Sequence, residues 1–288
     1  MLRAVLARLV AAGPRPTTAE RLIDDLWEGD PPPTAASVLQ VHIHNLRRLV
    51  EPDRPRRAPS RFLVSESSGY ALKLAPEAVD VWQFEALLRE YEQRVRAPGG
   101  WPDPLGRRRL LDRALSCWTG SPFDGLTTFA WAAHEAARLT ELRLTAAEMR
   151  AGVELELNRP AEVAIELRTL FEQHPEREEI ARLLATAQYR AGQQAQALAT
   201  LRRSREYLGD EYGIDPSPAL RELELAILSH DETLANVSAT RPAELRARPS
   251  GSATPANTPC CATPPPPRAT ASCRSSGSRA RPGRARPP

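Results

Sequence analysis

The residues best suited to recognition chemistry lie in the segment 34–52, TAASVLQVHIHNLRRLVEP. On a helix with about 100° per residue, its polar and apolar side chains fall on opposite sides. The polar side comprises Ser37, Gln40, His44, Asn45, Arg47 and Arg48. The apolar side comprises Val38, Leu39, Ile43, Leu46, Leu49 and Val50. Val41 stands among the polar groups. Adjacent arginines, amides and one exposed aliphatic group supply the donors, acceptors and methyl contact that a DNA major groove matches.

Taken alone, this segment equally fits a solvated amphipathic helix, so its flanks decide between the two interpretations. A first helix is predicted before Gly13 from apolar residues at helical spacing: Leu2, Val5, Leu6, Leu9 and Val10. Thr17 and Glu20 form a capping-box pattern that predicts a second helix, ending at Gly29. Thr34 is predicted to cap the third helix.

A hairpin is predicted downstream of the three helices. Apolar residues alternate at period two around the turn at residues 67–69, namely Phe62, Val64, Tyr70, Leu72 and Leu74. Three helices followed by a hairpin are typical of a winged helix-turn-helix, which we place at residues 1–78. We expect this domain to pack its own core.

At this point the chain resembles the Streptomyces antibiotic regulatory proteins, whose DNA-binding part is an OmpR/PhoB-type winged helix. The matching stretches are ERLIDDLW at 20–27, LQVHIHNLRRLVEP at 39–52, and Gly69-Tyr70. Further stretches resemble the bacterial transcriptional activation domain of that family: WTGSP at 118–122, WAAHE at 131–135 and GIDPSPALR at 213–221. Members of the family begin with a small β-sheet ahead of helix one. This sequence lacks it, which indicates a misplaced start or a truncated domain.

Chemistry and resemblance assign roles along the third helix. Asn45 is suited to adenine, Arg48 to guanine or phosphate, and Val41 to a thymine methyl group. The resemblance places Val41 and Asn45 at base-contacting positions. It places His42, His44 and Arg47 at phosphate-contacting positions. The alternatives are that His42 borders the core and that Arg47 pairs with Glu51.

The charge distribution predicts a local basic patch. The formal net charge is +3, but residues 241–288 hold nine arginines against one glutamate, so the rest of the chain is net acidic. A DNA binder of this kind relies on clustered cations. Here they are Arg47, Arg48, Arg54, Arg56, Arg57 and Arg61, opposed by Glu51 and Asp53. The wing tip offers Glu66, Ser67 and Ser68, so Arg61 is the fallback for a minor-groove contact. Helix two is acidic and is expected to face away from phosphate.

Residues 79–235 are predicted to form an all-α, tetratricopeptide-like domain, which makes the fold mostly α. The stretch 158–175 superposes on 192–209 at an offset of 34 residues, the tetratricopeptide period. The pattern places Leu167, Ala185, Ala195 and Leu201 at inward positions. Such arrays usually dock proteins, although two repeats equally fit a spacer. Residues 236–288 are rich in Pro, Arg and Ser and are predicted to be disordered.

Several function classes are excluded by the sequence. A P-loop needs a lysine after glycine, and the single lysine, Lys73, lies on a predicted strand. No G-x-S-x-G or H-E-x-x-H motif occurs. Cys117, Cys260, Cys261 and Cys273 lack the spacing of a zinc site. No apolar run is long enough for a membrane span. We therefore predict a cytoplasmic protein that is not an enzyme and has no cofactor or metal.

The resemblance implies a sequence-specific transcriptional activator of secondary-metabolite genes. Its partners would be double-stranded DNA carrying promoter direct repeats, RNA polymerase, and further copies of itself on DNA. Two alternatives remain. The repeats are a protein-interaction scaffold beside a winged helix that has lost DNA binding, or the chain is a fragment of a larger regulator.

Overall fold

The computed structural model describes residues 1–55 and 58–235. Arg56 and Arg57 of the predicted basic patch lie outside the described residues, as does the tail predicted to be disordered, 236–288.

The first part of the chain folds as three helices and a hairpin: α1 (Leu2–Ala12), α2 (Ala19–Trp27), α3 (Ala35–Val50), β1 (Leu63–Glu66) and β2 (Gly69–Leu72). Gly13, with φ 70°, follows α1 as predicted. The cap of α2 is Thr18, whose side chain accepts a hydrogen bond from the backbone N of Arg21 at 3.1 Å. The predicted cap, Thr17, instead exchanges two backbone hydrogen bonds with Tyr70.

This close pairing explains the glycine at the start of β2. Gly69 has φ 138°, and a Cβ atom placed there would lie 2.0 Å from the carbonyl oxygen of Thr17. Any other residue would therefore push the hairpin away from the chain that connects α1 to α2.

The hairpin is in antiparallel register with Leu63 opposite Leu72, and both side chains are buried. The prediction that Phe62 and Val64 share the inner face is wrong: Phe62 is 39% exposed, because the inward alternation begins one residue later at Leu63. Leu49 was also predicted to be inward and is 68% exposed. It lies at the edge of the apolar side of α3, where no neighbouring element covers it.

The second part is helical. After a 3-10 turn at Pro76–Ala78, its long helices run as follows: α4 (Asp80–Arg96), α5 (Pro104–Leu115), α6 (Ala130–Glu156), α7 (Pro160–Gln173), α8 (Glu178–Arg190), α9 (Gln194–Tyr207) and α10 (Pro218–Leu228). A π-helical turn, Leu208–Tyr212, extends α9, and the short α11 (Glu232–Ala235) ends the described chain. Successive helices pack against one another, as a tetratricopeptide-like array requires.

The repeat predicted from the sequence is visible in the helices. Their first residues, Pro160 of α7 and Gln194 of α9, are separated by the predicted offset. Buried residues recur at the same offset, since Leu167 and Leu201 are both within the core. Ala195 was predicted to be inward but is exposed. The inward alanine of α9 is Ala197, which shares one helix face with Leu201 and Ser204.

The core of the three helices and hairpin continues into the helical part. Leu9, Leu22 and Ile43 belong to the same buried cluster as Leu126 and Ala132. The expectation that the winged helix packs its own core is therefore wrong. Val79 and Trp82, at the start of the helical part, belong to the same cluster as well. Helical periodicity cannot reveal this, because it does not show which residues from separate elements meet in one core.

Candidate nucleic-acid interface

One stripe of α3 faces solvent. Ser37, Val41, His44 and Arg48 follow one another at steps of four, three and four residues, so they lie along a single side of the helix. All four are exposed, and Val41 is 57% exposed although it is aliphatic. Gln40, also exposed, flanks the stripe. This surface combines hydroxyl, imidazole, guanidinium and amide groups with one methyl-bearing side chain, which suits the edges of bases in a major groove.

The opposite side of α3 anchors the helix. Leu39, Ile43 and Leu46 are 1–2% exposed and pack in the shared core. Asn45 lies at the border between the two sides, half-buried, one turn from both Val41 and Arg48. His42 is also half-buried and borders the core side. The buried aliphatic side chains of α3 thus hold its exposed stripe in a fixed direction.

Arg47 joins α3 to the wing. Its Nε donates to the carbonyl oxygen of Leu63 at 2.9 Å, and a terminal N–H group donates to Oγ of Ser65 at 2.8 Å. Burial, and then repulsion from Arg54, lowers the pKa of Arg47. The proposed pair with Glu51 is not formed, since the guanidinium turns toward β1. A phosphate contact by Arg47 stays a prediction.

Glu51 fixes the chain between α3 and the wing. Its side chain is 7% exposed, and Oε1 accepts hydrogen bonds from the backbone N of Arg61 at 2.7 Å and of Phe62 at 3.3 Å. A hydrogen bond from Ser60 contributes most to lowering the pKa of Glu51. This carboxylate lies within the predicted basic patch, where its Oε2 also pairs with Nε of Arg54 at 3.6 Å. The side chain of Arg61 remains exposed beside the wing.

Arg54 and Arg48, two other members of the basic patch, differ in their exposure to solvent. Arg54 is 18% exposed and donates to the carbonyl oxygen of Ala58 at 2.6 Å, so it stabilises the loop. Arg48 is exposed and forms no ion pair or hydrogen bond within the described residues. Among the arginines of the predicted basic patch that the structure describes, Arg48 and Arg61 are therefore the two that are exposed to solvent.

The wing tip is less basic than its neighbours. Glu66 forms an ion pair with Lys73 at 3.0 Å, and Ser67 and Ser68 are exposed at the turn. Lys73 also donates to the carbonyl oxygen of Pro14 at 3.0 Å. The wing thus presents two hydroxyl groups and a neutralised ion pair, while α3 presents the stripe.

A cavity of about 540 Å³ lies elsewhere, between α1, the start of α4 and the loop that contains Trp118 and Phe123. No residue of α3 lines it. None of the helices in residues 1–55 and 58–235 is both long and apolar enough to cross a lipid bilayer.

A winged helix-turn-helix with an outward helix stripe, built onto an array of helical repeats, defines a class of DNA-binding regulators. Two family models match the chain accordingly. "Transcriptional regulatory protein, C terminal" matches residues 2–72, and "Bacterial transcriptional activator domain" matches residues 79–228. The chain belongs to the Streptomyces antibiotic regulatory protein family of transcriptional activators. These matches are to transcriptional regulators, not enzymes.

Relatives extend over both parts. The chain is 38% identical to regulatory protein AfsR of Streptomyces coelicolor over 85% of its own length, but it spans 24% of that protein. It is 32% identical to regulatory protein DnrI of Streptomyces peucetius, covering 73% of this chain and 77% of DnrI. The structure of Mycobacterium tuberculosis EmbR in complex with a low affinity phosphopeptide superposes with a TM-score of 0.72 at 31% identity, covering 81% of this chain and 62% of that one.

Sequence reasoning missed the residues that join the two parts. Glu28 contacts Ala130, and Trp82 contacts Val10. No spacing or motif in the sequence links these residues, which are 102 and 72 positions apart.

Proposed function

We propose that this protein binds specific promoter DNA through α3 and activates transcription by bringing RNA polymerase to the promoter. The observation that carries the proposal is the exposed stripe of α3, in which Val41 is 57% exposed beside a solvent-facing Arg48. An aliphatic group exposed to water on the same side of a helix as polar and cationic groups gains an apolar partner when a thymine methyl group covers it.

Roles within the stripe follow from chemistry. Asn45 reads adenine with its amide, and Val41 contacts the neighbouring methyl group. Arg48 contacts guanine or phosphate. Ser37, Gln40 and His44 contact the backbone or base edges around them, and Arg61 contacts phosphate beside the wing. Arg47 has a smaller share, because its hydrogen bonds to the wing already occupy part of the guanidinium.

The targets we propose are direct repeats in promoters of secondary-metabolite genes, bound by copies of this protein that associate on the DNA. The descriptions of the two matching family models support regulation of transcription. The helical repeats supply the surface for polymerase. Ile165 on α7 is 76% exposed and is a candidate contact on that surface.

The test begins with selection of bound duplexes from a random pool, which supplies a cognate site. In vitro transcription with purified polymerase then compares the unsubstituted chain with Ile165→Asp and with the control Glu162→Ala, one turn earlier on α7. We expect Ile165→Asp to keep DNA affinity and lower transcription, and the control to keep both. Failure to select any sequence from the pool would contradict the proposed DNA reading. Full transcription by Ile165→Asp would contradict docking through this face of α7.

A further inference from the structure

A hydrogen bond joins the end of α2 to the start of α6, across 102 positions of sequence. Glu28 follows α2 in a left-handed backbone conformation, φ 51° and ψ 40°. Its Oε1 accepts a hydrogen bond from the backbone N of Ala130, the first residue of α6, at 3.0 Å. Phe129, which precedes α6, forms no capping bond with its side chain. The first N–H groups of a helix lack partners and favour negative charge. A carboxylate from the three-helix part thus caps a helix of the repeat part.

A second contact holds α1 at the same end of α6. Arg8 forms an ion pair with Asp25 at 2.5 Å, and the two side chains are 15% and 8% exposed. The guanidinium carbon of Arg8 lies 5.8 Å from the centre of the Trp131 ring, within the range of a cation–π contact. Trp131 packs against Phe123 and Phe129. Both α1 and α2 are therefore tied to one aromatic cluster.

A third contact lies two residues after Arg8, in the last turn of α1. The indole Nε1 of Trp82, on α4, donates to the carbonyl oxygen of Val10 at 2.8 Å. The same carbonyl oxygen also accepts a hydrogen bond from the backbone N of Gly13 at 3.0 Å, so the indole is a second donor to it at the end of α1. Because α1, α2 and α3 share one core, contacts that hold α1 and α2 also set the direction of α3.

We propose that the helical repeats are part of the DNA-binding apparatus, because they hold α3 at one fixed angle, and that Glu28 is the positioning residue of this junction. The effect on DNA binding rests on the function proposed above, whereas the fixed angle of α3 is a property of the protein without DNA. If each copy carries its reading helix at a fixed angle, two copies on direct repeats fit together at one spacing. The affinity of two copies for one duplex then depends on the rotation between the two half-sites around the DNA axis. This rotation repeats about every 10–10.5 base pairs.

Two substitutions separate positioning from general stability. Glu28→Gly removes the cap, and glycine adopts a left-handed conformation without strain. Glu28→Gln keeps an acceptor oxygen at the same place and serves as the matched control. We expect Glu28→Gln to behave like the unsubstituted chain and Glu28→Gly to loosen the junction while the helices stay folded.

The first readout is a distance. Spin labels are placed at the exposed Ser67 of the wing and the exposed Glu162 of α7, in the full chain with its cysteines changed to serine. The proposal predicts one narrow distance distribution for the unsubstituted chain and for Glu28→Gln, and a broader one for Glu28→Gly. A broad distribution in the unsubstituted chain overturns the fixed angle of α3, and an unchanged narrow one in Glu28→Gly overturns the positioning role of Glu28.

The second readout is spacing selectivity on duplexes that carry two selected half-sites at increasing separation. We expect the unsubstituted chain and Glu28→Gln to prefer one spacing. Glu28→Gly should bind all spacings alike, with single half-site affinity kept within about twofold. A preserved spacing preference in Glu28→Gly overturns the positioning role. If the unsubstituted chain binds no half-site, the proposed DNA function fails, and the spin-label distances still decide the geometric claim.

Discussion

Arg47 on α3 donates from Nε to the carbonyl oxygen of Leu63 on β1 at 2.9 Å, and the next residue in the chain, Arg48, faces solvent. A second bond from Arg47 reaches Oγ of Ser65. Neighbours on a helix point about 100° apart, so two adjacent arginines contact different surroundings. One joins the helix to the wing, and the other is exposed to solvent.

The first prediction compares these two arginines. Arg47→Ala removes two hydrogen bonds to the wing and should lower the free energy of unfolding by about 1–3 kcal/mol. Arg48→Ala should change it by less than about 0.5 kcal/mol, but it should weaken DNA binding and, if it meets phosphate, reduce the salt slope by about one. Urea unfolding and anisotropy titrations at several salt concentrations measure both. Equal destabilisation by the two substitutions, or undiminished DNA affinity in Arg48→Ala, would contradict this division.

The second prediction concerns two alanines of α9. Ala197 is fully buried between helices, whereas Ala195 is exposed. Ala197→Phe should overpack the repeat core and cost about 1–3 kcal/mol of unfolding free energy. Ala195→Phe should cost less than about 0.5 kcal/mol, as expected of an exposed position. Thermal unfolding followed by circular dichroism compares them. A larger loss in Ala195→Phe would mean that the inward face of α9 is wrongly assigned.

Ala195 and Ala197 show which features of α9 could be predicted from the sequence and which could not. The 34-residue offset correctly predicted which helices repeat, because Val163 and Leu167 of α7 are buried like their counterparts Ala197 and Leu201 of α9. It did not decide which alanine points inward, since both alanines lie in the first turn and a small side chain fits either surface. For α3, the apolar periodicity placed Leu39, Ile43 and Leu46 correctly. The same periodicity wrongly placed Leu49 inside the core. Leu49 lies at the edge of the apolar side of α3, where burial depends on whether another element lies alongside.

The third prediction concerns pH. The pKa of Glu51 lies below its usual value of 4.5, with the hydrogen bond from Ser60 as the largest cause. A lowered pKa means that the charged form stabilises the fold. This stabilisation is present above the unfolded pKa and is lost as the pH falls through the folded pKa. The stability difference between the unsubstituted chain and Glu51→Gln should therefore shrink as the pH falls below 4.5. Urea unfolding across that range measures it, and a difference that grows on acidification would refute the role of the charge.

The junction between the two parts was beyond sequence reasoning for a different reason. Glu28 and Ala130 are neither at helical spacing nor in a common motif. The acidic residues of α2 were interpreted only as negative charges that face away from phosphate. Trp82 and Trp131 likewise share no spacing or motif with the residues that they contact. Their contacts with Val10 and Arg8 depend on how two folded parts meet, which no local pattern encodes.

The central claim is that α3 reads base sequence, and Asn45→Ala tests it most directly. The amide lies half-buried at the edge of the exposed stripe, one turn from Val41 and Arg48. Fluorescence anisotropy measures binding of the unsubstituted chain and of Asn45→Ala to the selected duplex and to a random duplex of equal length. We expect a loss of about 1–3 kcal/mol on the selected duplex and almost none on the random one. An equal loss on both duplexes, or no loss on the selected one, would contradict base reading by this helix.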